Sequence, residues 1–187
     1  MIEKTLVLIK PDGVERALIG KVTTKFEDAG LKVVAMKMLL PGKDLGDMHY
    51  IPDKQWMENV GNKTLSTFKE KGIETKETAM QIGQRVHGYL TSYLTSGPVV
   101  AMVVEGNEAI FVVRKLVGAT ESRKADPSSI RGQYSTDSYD MADKHNRALK
   151  NVVHASEDKA TSEREIAVWF KPEEIVKYRR ADEGSLF

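Results

Sequence analysis

The run Val99-Val100-Ala101-Met102-Val103-Val104, entered through the turn Ser96-Gly97-Pro98, constrains the fold more than any other stretch. A short, continuous, largely β-branched apolar run bounded by turn residues reads as a buried strand. Thr5-Leu6-Val7-Leu8-Ile9 is a second such run, typical of a central strand covered on both sides, or on one face plus an interface. Lys10-Pro11-Asp12-Gly13 ends it, because proline and glycine both stop a ladder. Two buried strands far apart in sequence need helices between and around them.

The intervening segments supply those helices. Residues 20–30 read as a helix with Val22, Phe26 and Ala29 on one face and Gly30 as its C′ residue. Residues 31–40 read as a half-exposed strand, with Leu31, Val33 and Ala35 alternating against Lys32 and Lys37 before Pro41-Gly42. A short helix is expected over residues 44–50 and another helix over 86–94. Residues 52–85 are polar, with Gly61, Gly72 and Gly83 at intervals, and read as a surface excursion of short helices. A helix near residues 108–117 turns Ile110, Val113 and Val117 inward, and residues 118–134 read as loop. Residues 135–147 form a second polar excursion; Val152-Val153 is the last strand, and helices carrying Trp169 and Phe170 close the chain. The order β-α-β-α-α-β-α-β-α predicts an α+β fold, a ferredoxin-like split βαβ sandwich whose four-stranded antiparallel sheet carries helices on one face.

At 187 residues the chain suits a single domain spanning residues 1–187 with insertions near 57–86 and 135–147. It has no cysteine, which excludes disulfides, thiolate metal sites and thiol catalysis and fits a cytoplasmic protein. No apolar run approaches membrane-spanning length, and the strand pattern that begins at once leaves no room for a signal peptide. A net charge of +1 lacks the broad positive field of a dedicated nucleic-acid binder, so any phosphate recognition must be local.

The most chemically informative segment is Asn151-Val152-Val153-His154-Ala155-Ser156-Glu157. A histidine at the end of a buried strand can be held rigidly with its ring toward a cleft, as a nucleophilic imidazole requires. Glu165 lies eleven residues on and Ser156 two. A lone histidine beside a strand is more often a structural residue; the rest of the chain tips the balance.

Lys10-Pro11-Asp12-Gly13-Val14, His49-Tyr50, Ser96-Gly97-Pro98, the stretch from Arg114 to Thr120, Ser129-Ile130-Arg131-Gly132, Asn151 to Ser156 and Glu165 to Glu174 occur in the order found in nucleoside diphosphate kinases. The chain resembles that family over nearly its whole length apart from the two excursions. The resemblance implies an enzyme moving the γ-phosphate of a nucleoside triphosphate to a nucleoside diphosphate by a ping-pong route, with His154 accepting the phosphoryl group on Nδ1. It implies Lys10, Arg114 and Arg131 as phosphate-binding cations, and Thr120 and Asn151 as polar contacts to phosphate and ribose. Tyr50 would lie near His154, and Ser156 and Glu165 would steady its ring. Trp56 would stack the base, with Leu90 opposite.

Glu165 also has a local reading. One helix running from Ser156 would carry it roughly 14 Å along the axis, so a break is expected, and Ser162-Glu163-Arg164-Glu165 matches a capping box. His49, His87 and His145 read as surface or packing residues. Mg²⁺ is expected as the cofactor, borne by the nucleotide phosphates with few protein ligands, and Asp12 and Glu157 are candidates to touch its waters. The family implies a homo-oligomer, hexamer or tetramer, although Ser122 stands where it usually has a proline. The competing classes are a catalytically silent nucleotide- or nucleic-acid-binding regulator on the same fold and a phosphorelay partner, which would need an exposed histidine on a helix.

Overall fold

The computed structural model describes residues 1–186. Strands β1 (Ile2–Ile9), β2 (Lys32–Leu39), β3 (Val99–Asn107) and β4 (Val153–Ala155) form one sheet in the order β2-β3-β1-β4, and every neighbouring pair is antiparallel. The two continuous apolar runs are its two central strands. That order and direction are those of the expected ferredoxin-like α+β sandwich.

Side chains alternate across a strand. Val7, Ile9, Val100, Met102 and Val104 therefore face one layer, formed by α2 (Ile19–Asp28), α6 (Ala109–Val117) and α7 (Ile130–Tyr134). Leu6, Leu8, Ala101 and Val103 face the other, where α5 (Ala79–Leu94) brings Leu94 and α9 (Lys159–Trp169) brings Trp169. The helices thus cover both faces, not one, which is why neither central strand shows a polar alternation.

Three other expectations are corrected. In β2 the register shifts between Val33 and Ala35. This bulge at Val34 turns Ala35 to the face opposite Leu31 and Val33, so the simple alternation fails. In α2 the inward residues are Val22 and Phe26, and Ala29 is exposed. In α6 Ala109 rather than Ile110 is the fully buried first contact.

The first polar excursion is not a set of short helices. It is a long hairpin of α4 (Lys54–Glu70) packed along α5, with residues 71–78 as its turn. Gly61 and Gly83 make the crossing possible. A Cβ on Gly61 would lie 1.9 Å from the Ala79 carbonyl oxygen, and one on Gly83 2.2 Å from that of Met57. The second excursion carries α8 (Tyr139–Lys144), whose Asp140 pairs with Lys71 at the hairpin tip and lies 3.4 Å from Arg123. Far apart in sequence, the two excursions meet in space.

Candidate active site

β1 ends where Lys10 donates its backbone N–H to the Val152 carbonyl, 2.8 Å away. The chain then enters α1 (Pro11–Glu15), with Pro at its first position, where a missing N–H is harmless. Gly13 packs against β4 so closely that a Cβ would stand 2.9 Å from the Val152 oxygen. On the other side of this contact, Val153 N–H bonds back to the Asn151 carbonyl at 2.7 Å, a γ-turn centred on Val152 with φ +68. Positive φ in a β-branched residue is strained, and such strain collects where a site must be aimed. The turn is held because Val152 N–H also donates to Asp12 at 3.2 Å, and it delivers His154 onto β4 opposite Leu8.

His154 keeps 19% of its side chain exposed, while Glu165 keeps only 4%. Nε2 of His154 lies 2.8 Å from Oε2 of Glu165, and the same oxygen accepts the Ser156 hydroxyl at 2.7 Å. A carboxylate only accepts, so Nε2 carries the proton and Nδ1 keeps a lone pair. Burial is the largest influence on His154 and pushes its pKa below the ordinary histidine value, against the pull of Glu165 and with help from Lys10 and Arg131. Burial alone would raise Glu165; its bonds to His154 and Ser156 prevail and hold it below the usual carboxylate range. The pair is therefore a neutral imidazole donating to a carboxylate near neutral pH.

The route by which Glu165 arrives differs from the expected one. The chain turns after β4, Asp158 caps α9 by accepting the Thr161 N–H at 2.8 Å, and Ser162 sits inside the helix, buried, with its hydroxyl 3.3 Å from that of Thr5. Ser162 is not a cap. Starting the helix three residues after Ser156 brings Glu165 back over the sheet.

Buried positive charge gathers beside this ring. Lys10 is buried, donates from Nζ to Asn151 Oδ1 at 2.8 Å and lies 5.3 Å from the Tyr93 ring centre. Burial first, then the Arg131 charge, lowers its pKa to about 7, although Asp12 opposes the shift. Arg131 is buried too, donating to the carbonyls of Gly118 and Val153 at 2.9 Å each, while its Nε has no partner. Its pKa falls to about 10 through burial and the neighbouring Arg114, which sits exposed on α6. Buried cations, each lowered further by a neighbouring positive charge, are poised for a polyanion.

Asn151 joins two parts of the site, accepting from Lys10 and donating from Nδ2 to the Thr120 carbonyl at 2.9 Å. Both ends of its amide thus hold protein groups in this structure, instead of being turned outward for a ribose. Tyr50 ends α3 (Lys43–His49), and its ring centre lies 4.6 Å from that of His49. Trp56, in the first turn of α4, packs edge-on to His87 at 6.4 Å, and Leu90 lies half-buried one turn further along α5. Both base-contact candidates are on the hairpin, but Trp56 is engaged with His87 rather than paired with Leu90.

His49, read as a surface or packing residue, packs directly against His154. It is 2% exposed, its ring centre stands 4.5 Å from that of His154, and its Nδ1 lies 3.3 Å from the Trp169 indole nitrogen. Its adjacency to Tyr50 was the available signal. Asp12 and Tyr93 were missed as organisers: the Tyr93 hydroxyl bonds Oδ1 of Asp12, and Oδ2 takes the Val152 N–H. Asp12 is therefore committed to the turn and is not a ligand for metal-bound water. Glu157 is exposed and His145 also. His49, His154 and Glu165 lie close enough to share an ion, but they offer two nitrogens and one engaged carboxylate, a set that does not suit Mg²⁺.

The low Lys10 pKa makes a thermodynamic prediction. At pH 8 the free protein holds Lys10 largely neutral, and bound phosphates favour its charged form. Binding of the expected nucleotide at pH 8 should take up close to one proton, read as a dependence of calorimetric heat on buffer ionisation enthalpy, and much less at pH 6. An enthalpy independent of buffer at pH 8 would contradict the lowered pKa.

The family model for nucleoside diphosphate kinase matches residues 3–67 and 58–175. A nucleoside diphosphate kinase of Pyrobaculum aerophilum is 41% identical over 181 residues, covering 94% of this chain and 99% of that protein. One of Pyrococcus furiosus is 41% identical over 180 residues, covering 96% and 90%. Among solved structures, the Pyrobaculum aerophilum enzyme superposes with a TM-score of 0.91 at 40% identity, covering 95% of this chain and all of that one. A transition-state mimic of the Borrelia burgdorferi enzyme with bound vanadate and ADP superposes at 0.80 with 38% identity, covering 99% and 96%. The fold, the ordered motifs and these full-length matches agree: the chain belongs to the nucleoside diphosphate kinase family of phosphotransferases.

Proposed function

We propose that the enzyme transfers the γ-phosphoryl group of a nucleoside triphosphate to a nucleoside diphosphate in two steps through phosphorylated His154. The observation that supports this most is the Glu165 bond to Nε2, which leaves Nδ1 as the nitrogen with a lone pair beside Lys10 and Arg131. In the first step the Nδ1 lone pair forms a bond to the γ-phosphorus, the bond from phosphorus to the β,γ-bridging oxygen breaks, and the diphosphate departs with that electron pair. In the second, a terminal oxygen of the acceptor's β-phosphate takes the phosphoryl group and the N–P bond electrons return to Nδ1. Glu165 stabilises the positive charge the ring acquires without taking its proton. Lys10, Arg114 and Arg131 balance the charge on the equatorial oxygens.

Mg²⁺ enters with the nucleotide as part of the substrate, neutralising phosphate charge, since the site offers it no oxygen cage. Thr120 and Asn151 are assigned the phosphate and ribose side of the nucleotide, which requires the Asn151 amide to exchange its bonds to Lys10 and the Thr120 carbonyl on binding. The base is assigned to the hairpin residues Trp56 and Leu90, with Trp56 leaving its contact with His87. Residues 1–187 act as one domain. The protein is a cytoplasmic homo-oligomer, a hexamer or tetramer, consistent with the edge strand β2 exposing Met36 and Met38. A silent nucleotide-binding regulator would have no use for the Glu165–His154–Ser156 arrangement.

Incubation with γ-labelled ATP and Mg²⁺ is expected to give acid-labile, base-stable label that leaves as GTP when GDP is added. Label that never transfers, or none at all, would overturn the proposal. Glu165→Gln should slow labelling by on the order of 10²–10⁴-fold, because an amide no longer fixes the tautomer or balances the charged ring. A loss under threefold in a rapid-quench experiment would remove Glu165 from the mechanism.

A further inference from the structure

His49 is buried behind the reacting ring and the scheme above gives it nothing to do. Trp169 can only donate through its indole N–H, so the 3.3 Å contact requires a lone pair on His49 Nδ1. His49 is therefore neutral, with its proton on Nε2, and that atom is buried without a hydrogen-bond partner. A buried donor left unpaired is costly and calls for an explanation.

Its surroundings supply one. The His49 ring meets His154 edge to face, with centres 4.5 Å apart and planes 85° apart, and meets Tyr50 at 4.6 Å and Trp169 at 5.7 Å. Its charged and titratable neighbours are His154 on β4, Glu165 and Arg164 on α9, and Lys10 at the end of β1. Oε1 of Glu165 stands 3.8 Å from Nδ1, but that nitrogen has no proton to give. Oε1 instead meets Arg164 at 3.2 Å, and Oε2 stays with His154 and Ser156. Arg164 also reaches the His49 carbonyl, at 3.4 Å, tying α9 to the end of α3.

We propose that His49 is a positioning residue: a neutral ring, locked by Trp169, that walls the His154 imidazole into its reactive orientation while making no claim on the Glu165 oxygen that His154 uses. The Glu165 bond fixes one edge of the His154 ring but permits rotation about the line of that bond. The perpendicular His49 ring removes this freedom. A residue that titrated there would instead compete for Glu165 whenever it was charged. This rests on the proposal that His154 is phosphorylated, and the test separates the two.

The test compares wild type, His49→Ala and His49→Phe by rapid quench with labelled ATP and Mg²⁺, beside the dissociation constant of ADP and a melting curve. His49→Ala is expected to lower the single-turnover labelling rate on the order of ten- to a hundredfold with the ADP constant nearly unchanged. His49→Phe, which restores a ring without a titratable nitrogen, should recover most of that loss. Should His49→Ala not fold, His49→Leu takes its place as the ringless variant. Wild-type labelling in the ringless variant, equal losses in both variants, or a loss carried wholly by nucleotide affinity would overturn the assignment. Failure of the wild type to label would instead sink the phosphohistidine route itself.

Discussion

Replacing His154 by alanine should reduce phosphoryl transfer by on the order of 10⁴-fold or more, while the ADP dissociation constant stays within about twofold. The size follows from what remains. The chain has no cysteine, and the neighbouring Ser156 hydroxyl donates to Glu165, so neither offers a second nucleophile. Lys10 is held by Asn151 and Arg131 by two carbonyls, none of which involves the imidazole, so the cations proposed to bind phosphate keep their places. Binding and chemistry should therefore separate. A coupled turnover assay beside calorimetry checks both halves: residual turnover above about a hundredth of wild type would mean transfer bypasses this ring.

A second large effect is on stability, at the α4–α5 crossing. Gly61→Ala would place a methyl 1.9 Å from the Ala79 carbonyl oxygen, a backbone atom that cannot move aside without parting the helices. Overpacking of this kind costs about 3 kcal/mol, which for a chain of this size lowers Tm by roughly 6–12 °C. Gly88 lies on the exposed side of α5 with nothing near its missing Cβ. Gly88→Ala should instead stabilise by about 1 kcal/mol, because alanine is the better helix former. Opposite signs for two identical substitutions in one hairpin, read by thermal denaturation, distinguish close approach from propensity. Equal shifts would mean the helices are not in contact at Gly61.

These glycines also show where sequence reasoning stopped. Gly61, Gly72 and Gly83 stand at spaced intervals in a polar stretch and look like breaks, yet only Gly72 turns the chain, with φ +67. The other two are contact points, and a glycine that permits close approach carries the same letter as one that permits a turn. The two central strands were legible because uninterrupted apolar runs have few other uses. That both faces are covered was implicit in the same runs, since Leu6 and Val7 point opposite ways and both are buried.

Of the site, the residues on short, rigid connections were readable: Lys10 at the end of β1, His154 on β4, and Glu165 in the matching C-terminal motif. The structure gathers these with Arg131, Ser156 and Asn151. What could not be read was the use of each hydrogen bond. Asp12 organises the Val152 turn, not a metal, because Tyr93 arrives from a helix eighty-one residues away. Ser162 lost its cap to Asp158, since both are acceptable caps and only the exit angle from β4 selects between them. His49 carried one signal, its place beside Tyr50, but nothing local marks it as buried; its fixed ring depends on Trp169, 120 residues on.

The stereochemistry at the transferred phosphorus is the most direct measure of whether a covalent enzyme intermediate exists. Each in-line displacement inverts the configuration of an isotopically chiral γ-phosphoryl group. Transfer to His154 and then to the acceptor predicts net retention in the product triphosphate. Net inversion would mean one direct displacement between two bound nucleotides, and would contradict the role assigned to His154.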